Sequence, residues 1–168
     1  MGFKYTRKYH ALMSEAKFEK ILVPTDGSKF ARKALAHAIK IAEKLGSKIH
    51  VIIVVDPSDF PPGMLLGLLK KDKRLEESIA EFMAAVKTQA RREVLAEVAI
   101  CKSQGVDATY DILAGKPVEM ILKYARGKKT DLIVIGSQGL RGLNKLKVLG
   151  SVSRKVSELA PCAVMIVH

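Results

Sequence analysis

The sequence is short of the residues that build metal and redox centres. It has 2 cysteines and 4 histidines in 168 residues. Cys101 and Cys162 lie far apart and match no metal or redox spacing. Reduced thiols in a cytoplasm are the expected state. His10, His37, His50 and His168 are scattered, with no pair at ligand spacing, which argues against a histidine metal cluster. Long apolar runs are lacking too. Val51 to Val55 is among the longest, far short of the roughly 20 residues of a membrane span. The N-terminus carries basic residues without an apolar core, so no secretory signal is expected. The familiar phosphate motifs are missing as well. Gly127-Lys128-Lys129-Thr130 follows a helix instead of joining strand to helix. The glycines do not fall as G-x-G-x-x-G, and Gly115-Lys116-Pro117 has no hydroxyl after its lysine.

What is present is a strong positive balance: 29 Lys and Arg against 17 Asp and Glu, a net charge of +12. That favours anionic partners such as nucleotides, nucleic acid or acidic membrane surfaces, and the sign alone does not choose. The cations are spread along the chain, without a block of like charge or an arginine-rich arm. No nucleic-acid recognition motif accompanies them, so nucleic acid is not the expected partner. A hydrophobic fraction of 48% with 27% charged residues is that of a globular protein large enough for one substantial core.

Residues 1–17 read as a separate N-terminal extension, expected to be poorly ordered, with the domain spanning 18–168. Lys20 to Pro24 reads as a short buried strand. Asp26-Gly27-Ser28 is a turn, with Ser28 suited to cap a helix. Ala31, Ala34, Leu35, Ala38, Ile41, Ala42 and Leu45 recur at helical spacing up to Gly46. Lys48 to Val55 is the second strand. Asp56 to Lys71, with Pro57, Pro61, Pro62, Gly63 and Gly67, reads as a loop. A long helix follows from about Asp72 to Ser103, with Leu75, Ile79, Phe82, Met83, Val86, Ala90, Val94, Leu95 and Val98 as its inner stripe. Val106 to Leu113 is a third strand. A helix opens at Pro117 and is expected to close at Gly127. Leu132 to Ile135 is a fourth strand, Ser151 to Leu159 a helix and Ala163 to Val167 a fifth strand. Alternating strands and helices with nearly continuous apolar strands predict a single-domain α/β fold, a doubly wound parallel sheet with helices on both faces.

Ligands of such sheets bind beyond the strand C-termini, where neighbouring connections leave in opposite directions. Two strand ends stand out. The first strand ends in Pro24-Thr25-Asp26-Gly27-Ser28. The fourth ends in Gly136-Ser137-Gln138-Gly139, and after a basic stretch Gly150-Ser151-Val152-Ser153 opens a helix. Glycines let a backbone approach a ligand, and free amides at a helix start attract anions. If these two strands are neighbours, a cradle for phosphates faces a carboxylate, Asp26, that suits the hydroxyls of a ribose. Each part has a plainer reading: Asp26 as a cap, Gly136 and Gly139 as a turn, Ser151 and Ser153 as helix caps.

Four segments together resemble the universal stress protein family: ILVPTDGS, AGKPVEMIL, DLIVIGSQGLRGLNKLKVLGSVSRKV and APCAVMIV. The resemblance runs from Lys20 to His168. It implies a Rossmann-like sheet of the adenine nucleotide alpha hydrolase type, five parallel strands in the order 3-2-1-4-5, which would make the first and fourth strands neighbours. It also implies that Gly136, Ser137 and Gly139 begin, and Gly150 and Ser151 end, the glycine motif of the ATP-binding members, with Val152 and Ser153 beside it. Ten residues, Leu140 to Leu149, separate the halves, one more than the family pattern's nine. By the same resemblance Asp26 aligns beside the ribose, Pro24 and Thr25 with the flanking wall, Val54 with the adenine-reading backbone and Gly115 with the pocket rim.

The expected ligand is thus ATP, with magnesium or manganese as an optional phosphate bridge. The expected role is a nucleotide-dependent regulatory or stress-response protein with little or no turnover, because no base stands ready for a terminal phosphate. A partner-binding protein with an empty pocket is the alternative reading, and a slow ATPase a third. The apolar last strand, at a sheet edge in the implied order, is expected to join two copies as a homodimer. No membrane association is expected, and the cytoplasm is the expected compartment.

Overall fold

A computed structural model describes residues 17–60, 73–140 and 149–168, with the side chains of 73–75 left aside. Apart from Lys17, the expected N-terminal extension lies outside the described residues, as do residues 61–71 of the expected loop.

Strand β1, Lys20–Thr25, is buried from Ile21 onward. Helix α1, Lys29–Leu45, begins where the Ser28 hydroxyl accepts from the Ala31 amide at 3.1 Å. It stops at Gly46, whose φ of 71° is the left-handed conformation that glycine adopts without strain. Strand β2, Lys48–Val55, leads into a single 3-10 turn, Pro57–Asp59. Then come helix α2, Lys73–Ser103, strand β3, Ala108–Ala114, helix α3, Pro117–Lys128, strand β4, Leu132–Gly136, helix α4, Ser151–Leu159, and strand β5, Ala163–Val167.

The strands form one parallel sheet in the order β3-β2-β1-β4-β5. Side chains alternate across it. Ile21, Val23, Ile49, Val51, Leu132 and Val134 point into the core beneath α1 and α2. Leu22, Ile52, Ile133 and Ile135 meet Ile121 and Ala125 of α3 and Val156 of α4 on the other face. Burial on both faces explains why the strands are nearly continuous in apolar residues.

The ladder between β1 and β4 is short. It joins Ile21 to Leu132 and Leu22 to Ile133, whereas β4 and β5 stay paired from Leu132↔Ala163 to Gly136↔Val167. Pro24 has no N–H to contribute to a ladder in a central strand. After Thr25 the chain leaves β1 toward one face, after Gly136 it leaves β4 toward the other, and a crevice opens between the two tips.

Three details depart from the sequence reading. The buried stripe of α2 is Ile79, Ala90, Val94, Glu97, Val98 and Cys101, while Leu95 and Phe82 are exposed. Leu95 sits one residue off the stripe, and Phe82 meets Phe60 edge-on at 5.5 Å. Leu45, in the last turn of α1, is exposed too. Helix α3 runs past Gly127 to Lys128, and Lys129 takes the left-handed turn at φ 52°.

Candidate functional site

The crevice at the tips of β1 and β4 has a volume of about 570 Å³, within the usual range of small-molecule sites. Pro24, Thr25 and Asp26 form one wall, Gly136 and Gly139 the opposite one, and Gly150, Ser151, Val152 and Ser153 close it at the start of α4. Val54 contributes from β2, opposite Pro117 and Ile121 of α3. Ten of the twelve residues expected at a site therefore line one cavity, although they come from four separate stretches of chain.

The other two act from behind. Ser137 is only 1% exposed. Its amide donates to the Val167 carbonyl at 2.8 Å, and its own carbonyl accepts from the Gly150 amide at 2.8 Å and the Ser153 hydroxyl at 2.9 Å. It thus ties the end of β4 to the start of α4. Gly115, at φ 140°, donates its amide to the Val55 carbonyl at 2.9 Å and turns the chain from β3 into α3. A side chain there would be strained and would press on Met120.

The two wall glycines serve different ends. A Cβ on Gly136 would stand 2.7 Å from the Phe30 carbonyl carbon and 2.8 Å from the Ala31 amide, so Gly136 lets α1 cross close over β4. A Cβ on Gly139 would stand 2.5 Å from the Asp26 carboxylate. That carboxylate accepts from the Ser28 amide at 3.0 Å through Oδ1 and from the Leu140 amide at 2.8 Å through Oδ2. Asp26 and the glycine segment therefore touch directly across the crevice.

At the anion end, α4 begins at Gly150 with no side-chain cap. The Gly150 amide is used by Ser137, which leaves the amides of the following turn as the donors a phosphate could meet. Arg141, Lys145 and Lys147 lie outside the described residues. The described lining is acidic: Asp56 and Asp59 join Asp26. No group of three or more His, Cys, Asp or Glu side chains among the described residues could hold a metal ion.

Sequence reasoning missed Asp56, Asp59 and Glu97. The first two flank Pro57 and Ser58, and the Asp56 carboxylate accepts from the Ser58 amide at 2.9 Å, a turn signal visible in Asp-Pro-Ser-Asp. Glu97 interrupts the apolar stripe of α2. Its Oε1 accepts from the Thr25 hydroxyl at 2.7 Å. Burial lifts its carboxyl above the ordinary range, against the pull of the Thr25 hydrogen bond.

A second polar cluster lies away from the crevice, between β2, β3 and α3. His50 Nδ1 meets the Thr109 hydroxyl at 2.6 Å, and Nε2 meets Asp111 at 3.1 Å. The Tyr124 hydroxyl donates to Asp111 at 2.9 Å, and its ring stacks on His50 at 4.8 Å. Burial holds the imidazole below its usual pKa, Asp111 opposes that, and Lys128 adds to it.

A sequence profile of the universal stress protein family matches residues 17–168. The chain belongs to that family. Among this stress protein's relatives is universal stress protein MJ0531 of Methanocaldococcus jannaschii, 34% identical over 165 residues, which span 95% of this chain and 91% of the relative. Universal stress protein UspA from Lactobacillus plantarum superposes with a TM-score of 0.76 at 25% identity, over 90% of this chain and 99% of that one. The universal stress protein from Archaeoglobus fulgidus in complex with dAMP shares the fold, with a TM-score of 0.61 at 19% identity over 90% and 98% of the two chains. Among the described residues of the present stress protein, no helix is long and apolar enough to cross a membrane.

Proposed function

We propose that the crevice binds an adenine nucleotide, ATP first among them, and that the protein is a nucleotide-dependent regulator of the stress response with little or no turnover. One observation carries this reading. Asp26 and the Gly136–Gly139 segment face each other in one cavity whose end is the uncapped start of α4. The carboxylate suits sugar hydroxyls, the helix start suits phosphates, and Val54, Pro117 and Ile121 offer an apolar slot for a base. The dAMP held by the Archaeoglobus fulgidus relative supports the ligand class.

The test is calorimetric titration of the full chain with ATP and magnesium, together with thermal melting. One nucleotide should bind per chain. At about a hundredfold excess over the dissociation constant it should stabilise the fold by roughly 2.7 kcal/mol. No heat and no melting shift at millimolar ATP would overturn the proposal. A phosphate-release assay separates a binder from a slow ATPase.

A second reading, a partner-binding protein whose pocket stays shut, draws on the bond between Asp26 and Leu140. There the carboxylate is already engaged and the crevice is partly self-satisfied. Adenine nucleotide carried through purification from the native cell would count against it.

We further propose that two copies pair through β5. It is an outer strand of the sheet, and Val164, Met165 and Ile166 remain partly exposed. The cytoplasm is the compartment that fits two buried or half-buried free thiols.

A further inference from the structure

Behind the crevice lies a buried acid that nucleotide binding has not accounted for. Glu97 stands on the inner face of α2, 7% exposed, in line with Val94, Val98 and Cys101. Its Oε1 accepts from the Thr25 hydroxyl, and the same hydroxyl oxygen accepts from the Gly27 amide at 3.3 Å. A chain of hydrogen bonds thus runs from Glu97 through Thr25 to Gly27 and brackets Asp26. The other carboxylate oxygen, Oε2, is buried with no hydrogen-bond partner among the described residues.

The charges around it do not offset an ionised form. Glu93 faces it from its own helix, Asp26 from the turn after β1, and Arg32 from α1. The Arg32 guanidinium donates to the Gly27 carbonyl at 2.5 Å, which holds it at the turn, and makes no hydrogen bond to Glu97. An ionised Glu97 is then a buried carboxylate with one hydrogen bond and two acidic neighbours, directly behind a wall of the crevice. Such a charge is expensive, and a proton removes it.

The geometry points to Glu97 as a proton-linked positioning residue: it holds the turn from Thr25 to Gly27 through the Thr25 hydroxyl, and it takes up a proton when an anionic nucleotide enters, so that binding tightens in acid. This rests on the nucleotide reading of the crevice. The link is reciprocal. An anion at the crevice makes a charge at Glu97 costlier and strengthens its hold on a proton, and the proton strengthens the anion's hold by the same factor.

The experiment is ATP–magnesium calorimetry from pH 5.5 to 8, in buffers of differing ionisation enthalpy, on the wild type and E97Q. The substitution keeps an acceptor for Thr25 and removes the titration. The wild type should take up part of a proton, and its affinity should rise by up to about tenfold per pH unit where Glu97 titrates. E97Q should show neither effect beyond the titration of ATP itself, and at neutral pH should bind as tightly as the wild type does in acid. Equal proton uptake in both proteins, or weaker binding by E97Q throughout, overturns this proposal alone. Absence of binding by either protein at every pH overturns it together with the nucleotide reading. Carbon-13 observation of the wild-type Glu97 carboxyl needs no variant: ATP must move its titration to higher pH, and an unmoved titration overturns the proposal.

Discussion

The Asp26 carboxylate accepts a hydrogen bond from the Leu140 amide at 2.8 Å, across the gap between the first and fourth strands. Residues 114 apart in sequence are thereby joined beyond the point where the ladder between β1 and β4 has ended. The same carboxylate secures the Ser28 amide at the entry to α1.

Replacing Asp26 by alanine therefore removes both ties. Asp26 is exposed, so the loss of stability is modest, about 1 kcal/mol, or a melting point lower by about 2–4 °C. Nucleotide affinity should fall more sharply, by roughly tenfold, the worth of one hydrogen bond to a charged group. Melting and calorimetry on one preparation check the pair of effects. A variant that melts lower yet binds ATP unchanged would place the sugar elsewhere.

Gly136→Ala and Gly139→Ala should fail in different ways. The first sets a methyl group against the backbone of Phe30 and Ala31, neither of which can yield without moving α1. It should destabilise the fold by about 1–3 kcal/mol. The second meets the Asp26 carboxylate, a side chain that can rotate away. It should melt near the wild type and lose nucleotide affinity. Denaturant unfolding midpoints beside ATP titrations discriminate the two.

The His50 cluster should make stability depend on pH in a defined direction. Burial depresses the folded-state pKa below 6.5, so the unfolded chain binds the proton more readily. The contribution is complete above about pH 6.5 and is lost as the pH falls through the folded value. Melting curves of the wild type should drop in that window relative to those of His50→Gln. Parallel curves for the two proteins would show that the imidazole does not titrate with folding.

Cys101 is fully buried, and burial, with Glu97 nearby, raises its thiol to about 11. At pH 8 roughly one molecule in a thousand carries the thiolate even before access is considered. A thiol reagent should therefore modify Cys101 only as fast as the protein opens, while the half-buried Cys162 reacts first. Timed labelling followed by peptide mass spectrometry reads both rates. Modification of Cys101 ahead of Cys162 in the native protein would contradict the packing of α2.

Val164→Lys places a charge in the middle of β5. If the proposed pairing through β5 holds, light scattering should show a dimer for the wild type and a folded monomer for the variant. An unchanged dimer would put the interface on another surface.

Much of the architecture was legible because it is written in local pattern. Nearly continuous apolar strands, helical spacing in α1, the Ser28 cap and the Gly46 stop each follow from neighbours in sequence, and alternation of strand and helix leads to a parallel sheet. That the glycine segment and Asp26 stand at the C-terminal ends of their strands was legible too. Tertiary structure alone decided what each of them touches. Gly136 proved to make room for a helix, Gly139 for a carboxylate, and Ser137 to stand behind the site. Glu97 stands behind the crevice only because α2 lays it under Thr25, 72 residues away in sequence. Periodicity tells which face of a helix is buried. It carries no information about which atom of a distant turn that face will meet, because that depends on how the strands twist and where the ladder between β1 and β4 gives out.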